Sequence, residues 1–108
     1  MMKLLSFILL LSSYYLNAKE ISCVAKENLQ VVWSHTVKIN IGDKVSIGEI
    51  KEFKFFLKNI DNIEFEIEVY DRATPARHYT QTTSTLIKWT YWSRQILFEL
   101  ECNINKYD

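Results

Sequence analysis

Hydrophobic residues recur at every second position through most of this chain, the period of a β-strand with one buried face. The clearest run is Ile63 to Val69, where Ile63, Phe65, Ile67 and Val69 alternate without a fault with Glu64, Glu66 and Glu68. Ile96, Phe98, Leu100, Cys102 and Ile104 make a second stripe, opposite Glu99, Glu101 and Asn103. Phe53, Phe55 and Leu57 make a third, opposite Lys54 and Lys58. Val31, Trp33, Val37 and Ile39 make a fourth, interrupted by His35. Ile21, Cys23 and Ala25 predict a short first strand, and Val45 and Ile47 another. Trp89 and Tyr91 alternate with Lys88, Thr90 and Trp92, so one of the two sets faces a core.

Turn residues fall between the stripes. Glu27-Asn28-Leu29 separates the first two strands, and Ile41-Gly42-Asp43 offers a flexible position for the next hairpin. Residues 58–62 (KNIDN) close another hairpin, and residues 71–76 (DRATPA) form a longer loop in which Pro75 ends any ladder. The pattern predicts an all-β domain of seven to eight short antiparallel strands, arranged as a small β-sandwich or closed barrel.

The N-terminus departs from this period. Met1-Met2-Lys3 is a short positive segment, Leu4 to Leu11 an uncharged apolar run, and Leu16-Asn17-Ala18 ends on a small residue. That is the grammar of a cleaved signal peptide, here a signal helix over 1–18 with the cut after Ala18. The run is shorter than the roughly 20 residues that span a bilayer, so no stable membrane insertion is expected after cleavage. Glu20 just before Ile21-Ser22-Cys23 spoils the context for a lipid anchor. Residues 19–108 then form one domain, without linker or repeat, exported to the periplasm or secreted.

The cysteines agree with export. Cys23 and Cys102 are the two in the chain, so one pairing exists. A disulfide between the first and last strands would support a core that is small at this chain length, by roughly 4 kcal/mol in the loop-entropy treatment. A metal site would need His35 and His78 as well, at no recognisable spacing, so no metal and no cofactor are expected. The Cys–Trp–Cys order of immunoglobulin domains is only partly met: Trp33 follows Cys23, but Leu100 stands two residues before the second cysteine, where those domains carry tyrosine. Small periplasmic lysozyme inhibitors share the plan of leader, β domain and terminal disulfide, but their Ser-Gly loop has no counterpart, since glycine occurs only at 42 and 48.

The chain carries 13 basic and 13 acidic residues. Removing the leader takes Lys3 away and leaves the domain about one charge negative, with no basic stripe suited to nucleic acid. The glutamate rows read as the solvated faces of strands, with Lys54 and Lys58 across from Glu64 to Glu68. His35 reads as a histidine held by one hydrogen bond, and His78 has no nucleophile in a motif around it, so no catalytic residues are assigned.

Residues 71–94 differ in kind. All three arginines, Arg72, Arg77 and Arg94, occur there with Tyr79 and Trp92, around the polar run Thr80 to Thr85. Arginine with tyrosine and tryptophan is the composition of interface anchors. Arg72, Arg77, Tyr79, Trp92 and Arg94 are therefore the expected binding surface, and the Thr80–Thr85 segment an expected edge strand open to pairing. The function expected is a non-enzymatic binding module acting on another envelope or secreted protein. Two alternatives stand beside it: an inhibitor of an envelope or secreted enzyme, and a carrier whose barrel interior, lined by Trp33, Phe53, Phe55, Phe65 and Phe98, holds an apolar ligand.

Overall fold

The computed structural model describes residues 18–105, so the signal segment expected over 1–18 lies outside it but for Ala18. Eight strands run β1 (Lys19–Glu27), β2 (Gln30–Ile39), β3 (Lys44–Ile50), β4 (Phe53–Asn59), β5 (Phe65–Asp71), β6 (Ala76–Thr82), β7 (Leu86–Ser93) and β8 (Ile96–Ile104). No helix occurs among the described residues. All strand pairs are antiparallel, in two four-stranded sheets of order β2-β1-β8-β7 and β3-β4-β5-β6. The terminal hairpins thus form the first sheet, and an uninterrupted meander forms the second.

The sheets pack through the apolar stripes. Ile21, Cys23, Ala25, Ile87, Phe98, Leu100 and Cys102 from the first meet Phe53, Phe55, Leu57, Phe65, Ile67 and Val69 from the second, all of them buried. Each such Phe, Leu or Ile contributes about 1.5–3 kcal/mol. Cys23 and Cys102 stand directly opposite in the β1–β8 register, with Cα atoms 4.0 Å apart, and the expected disulfide joins them inside this core. A buried bridge of this kind forms and persists in oxidising compartments, which points to an extracytoplasmic environment.

A closed barrel is not what forms. Closure would need backbone ladders between β2 and β3 and between β6 and β7, and neither forms; at the β2–β3 seam side chains bridge the gap. Trp33 Nε1 donates to the Glu49 carbonyl at 2.8 Å, and His35 Nδ1 to the Ile47 carbonyl at 3.1 Å. The segment around Gly42 therefore carries the chain from one sheet to the other and is not a hairpin. Buried Asn59 fixes that crossing: its Nδ2 donates to the Ile39 carbonyl at 2.9 Å and its own carbonyl accepts from Gly42 N at 2.7 Å. The barrel interior expected for an apolar ligand is instead the sandwich core, with Phe53, Phe55, Phe65 and Phe98 packed between layers and Trp33 at the β2 edge.

Three expected core positions lie outside. A bulge in the β1–β2 ladder leaves Val32 unpaired, shifts the phase of β2, and exposes Val31. Ile63 precedes β5 and Ile96 opens β8, and both are exposed.

Candidate functional site

Strand alternation places Glu66, Glu68 and Tyr70 of β5 on the outer face of the second sheet. The register sets Phe56 and Tyr79 on either side of Glu68, and Lys54 and Arg77 on either side of Tyr70. Glu68 faces outward yet is only 3% exposed, because its neighbours close over it. Lys44 Nζ reaches its Oε2 at 2.8 Å and Arg77 Nη1 reaches the same oxygen at 3.2 Å. The Tyr79 hydroxyl donates a third hydrogen bond to this carboxylate.

These contacts decide the charge state. Burial pushes the Glu68 carboxyl up, but hydrogen bonds from Lys44 and Tyr79, with the charges of Lys44 and Arg77, outweigh it and hold the group below its ordinary range. The Tyr79 hydroxyl is raised in turn, chiefly by its hydrogen bond to Glu68.

The cations that hold Glu68 stay accessible. The Lys44 and Arg77 side chains are 39% and 53% exposed. Lys44 and Lys54 lie 5.2 and 5.4 Å from the Phe56 ring centre, and the Arg77 guanidinium lies 4.8 Å from that of Tyr70. Lys44 also stands directly opposite Lys58, a like-charged pairing that is unfavourable by itself. The face thus presents Lys44, Lys54, Lys58 and Arg77 around Phe56, Tyr70 and Tyr79, with Glu49 opposite Lys54 and Glu66 opposite Lys58, while the central carboxylate is hidden. Glu66 lies on the same face between Lys58 and Gln81, and accepts from Gln81 at 2.6 Å.

The outer face of the first sheet also carries opposite charges in register, but no buried carboxylate among the described residues. Glu20 pairs in register with Lys38, Lys26 with Glu99, and Lys88 with Glu101, so charges cancel strand by strand. Glu99 and Glu101 therefore do not join Glu66 and Glu68 in one acidic surface.

The expected binding residues divide between these places. Arg77 and Tyr79 sit together on the Glu68 cluster. Arg72 occupies the β5–β6 turn at the margin of the same sheet, bonded to Glu49 at 3.2 Å and to the Lys51 carbonyl at 2.8 Å. Trp92 and Arg94 belong to the β7–β8 hairpin of the other sheet, Trp92 78% exposed and opposite Leu97. Nothing bonds these last two to the arginines of the second sheet. Strand β6, which carries Thr80, is an edge strand as expected, and 83–85 form the connection to β7. Lys44, Phe56, Glu68 and Tyr70 complete the cluster; the alternation in β4 and β5 places Phe56 and Glu68 on one outer face, but the arrival of Lys44 from β3 depends on the fold.

Comparison with protein-family models, with curated proteins and with solved structures finds no match to this chain.

Proposed function

We propose that this is an exported binding module, periplasmic or secreted, that recognises an acidic surface on another envelope or secreted protein through the outer face of strands β3 to β6. The observation that carries the reading is the burial of Glu68 beneath two cations. The carboxylate holds Lys44 and Arg77 in place, and the outer strand faces of this sheet set Lys44, Lys54, Lys58 and Arg77 against Glu49, Glu66 and Glu68, an excess of one cation among aromatic rings. Guanidinium and ammonium groups set over aromatic rings are pre-ordered, which lowers the entropy lost on binding. The Glu68 carboxylate already has its three partners, so the cluster offers a recognition surface rather than an unpaired reactive group.

Photo-crosslinking in the producing cell tests this. A photoreactive residue in place of Tyr79 is expected to trap a protein partner, and the same residue in place of Thr90, on the outer face of the first sheet, is not. Trapping at 90 and not at 79, or at neither, would overturn the proposal.

A further inference from the structure

The hairpin turns Asn28-Leu29, Lys51-Glu52, 72–75 and Arg94-Gln95 all lie at one end of the sandwich. Between the layers at that end is an open cleft of about 330 Å³. Its floor is Tyr91, Phe98 and Ile96, and its rim carries Glu27, Glu52 and Lys51. It lies away from the Glu68 cluster and uses none of its residues.

The floor is rigid. Tyr91 and Phe98 are cross-strand partners with ring centres 6.1 Å apart and planes 20° from parallel. Phe53 packs against both, at 4.8 and 5.7 Å, and Trp89 stacks on Tyr91 at 6.4 Å. Tyr91 is nonetheless 37% exposed, so a ring held by three others still shows surface to the cleft. The rim is polar and joins the two layers, with Lys51 Nζ 3.8 Å from Glu27 Oε1.

Volume, floor and rim together select a ligand. The volume is at the low end for small-molecule sites and suits a single ring. The floor offers a fixed aromatic face for stacking against C–H groups. The rim offers two carboxylates that accept hydrogen bonds and one ammonium that donates them. Two acids against one base disfavour an anion, and the Lys51–Glu27 pair already compensates one of the two carboxylates. We infer that the cleft binds one neutral sugar ring, stacked on Tyr91, with Glu27 and Glu52 accepting from its hydroxyls and Lys51 donating to a ring or hydroxyl oxygen.

Saturation-transfer NMR with the methyl glycosides of glucose, galactose, mannose and N-acetylglucosamine, each at millimolar concentration, tests this. At least one is expected to receive saturation on its ring C–H protons. Tyr91→Phe should keep that binding, and Glu52→Gln, at the rim and outside the aromatic cluster, should weaken it on the order of tenfold, a loss of about 1.4 kcal/mol. Lys54→Gln with Lys58→Gln should leave it unchanged, which separates this site from the protein-binding face. No transfer to any of the four glycosides, or transfer that Glu52→Gln leaves intact, would overturn the inference.

Discussion

Lys44 and Glu68 lie on strands separated by β4, yet their charged ends meet at 2.8 Å beside the ring of Phe56. The contact spans three strands and gives the second sheet an ordered outer surface as well as a packed inner one. Lys44 is drawn there although Lys58 stands directly opposite it, so the buried carboxylate offsets a repulsion that the ladder itself creates.

The Glu68 cluster should make stability depend on pH. Because the folded carboxyl titrates below its ordinary range, its contribution is complete above that range, about 4.3 for a free glutamate, and is lost as pH falls through the lower folded value. Glu68→Gln should cost about 1–3 kcal/mol at neutral pH, the range for breaking charged hydrogen bonds whose other partners stay partly solvated. Urea melts of both proteins should therefore differ at neutral pH and converge in acid. The same substitution should lower the pH at which Tyr79 ionises, followed by its absorbance, since the bond to Glu68 is the main cause of its raised value.

Gly48 and Trp33 should behave as a coupled pair. Gly48 has φ +149°, and a Cβ there would lie 2.6 Å from the Trp33 ring. Gly48→Ala should destabilise by about 1–3 kcal/mol through overpacking, with added strain from the backbone angle. In a Trp33→Ala background the steric part disappears, so the double variant should cost less than the sum of the singles. Denaturant unfolding of the four proteins measures this directly. Full additivity would mean that the indole does not sit over the glycine.

Much of the fold is legible in the alternation. The stripes through Phe53, Ile67 and Leu100 mark both inner faces, and the buried Cys23–Cys102 pair follows from the stripes of the first and last strands. What is not legible depends on geometry that one strand cannot encode. The bulge at Val32 inserts a residue and reverses the facing of Val31, with no glycine to mark it. The turns at Lys51 and Arg94 adopt φ of 53° and 50° on residues that rarely do so, and carry no asparagine or glycine signal. Two sheets rather than a closed barrel reflect the lack of a ladder at both the β2–β3 and β6–β7 seams, which the alternation within a strand does not encode. The Glu68 cluster is half legible for the same reason. Arg77 and Tyr79 are near neighbours in sequence, whereas Lys44 arrives from two strands away, and Trp92 with Arg94 goes to the other sheet.

The β3–β6 face, and not the charge-balanced face of the first sheet, is proposed to recognise acidic protein surface. Lys54 and Lys58 belong to that face but make no ion pair with Glu68, so they can be changed while its bonds to Lys44 and Arg77 stay in place. The measurement is a titration with a glutamate-rich peptide at low salt, followed by backbone amide shifts, for the parent protein, for Lys54→Gln with Lys58→Gln, and for Lys38→Gln with Lys88→Gln. Shifts confined to β3 to β6 are expected, with a loss of affinity on the order of tenfold for the first pair and no loss for the second. Equal losses for the two pairs, or shifts spread over both sheets, would contradict the proposal.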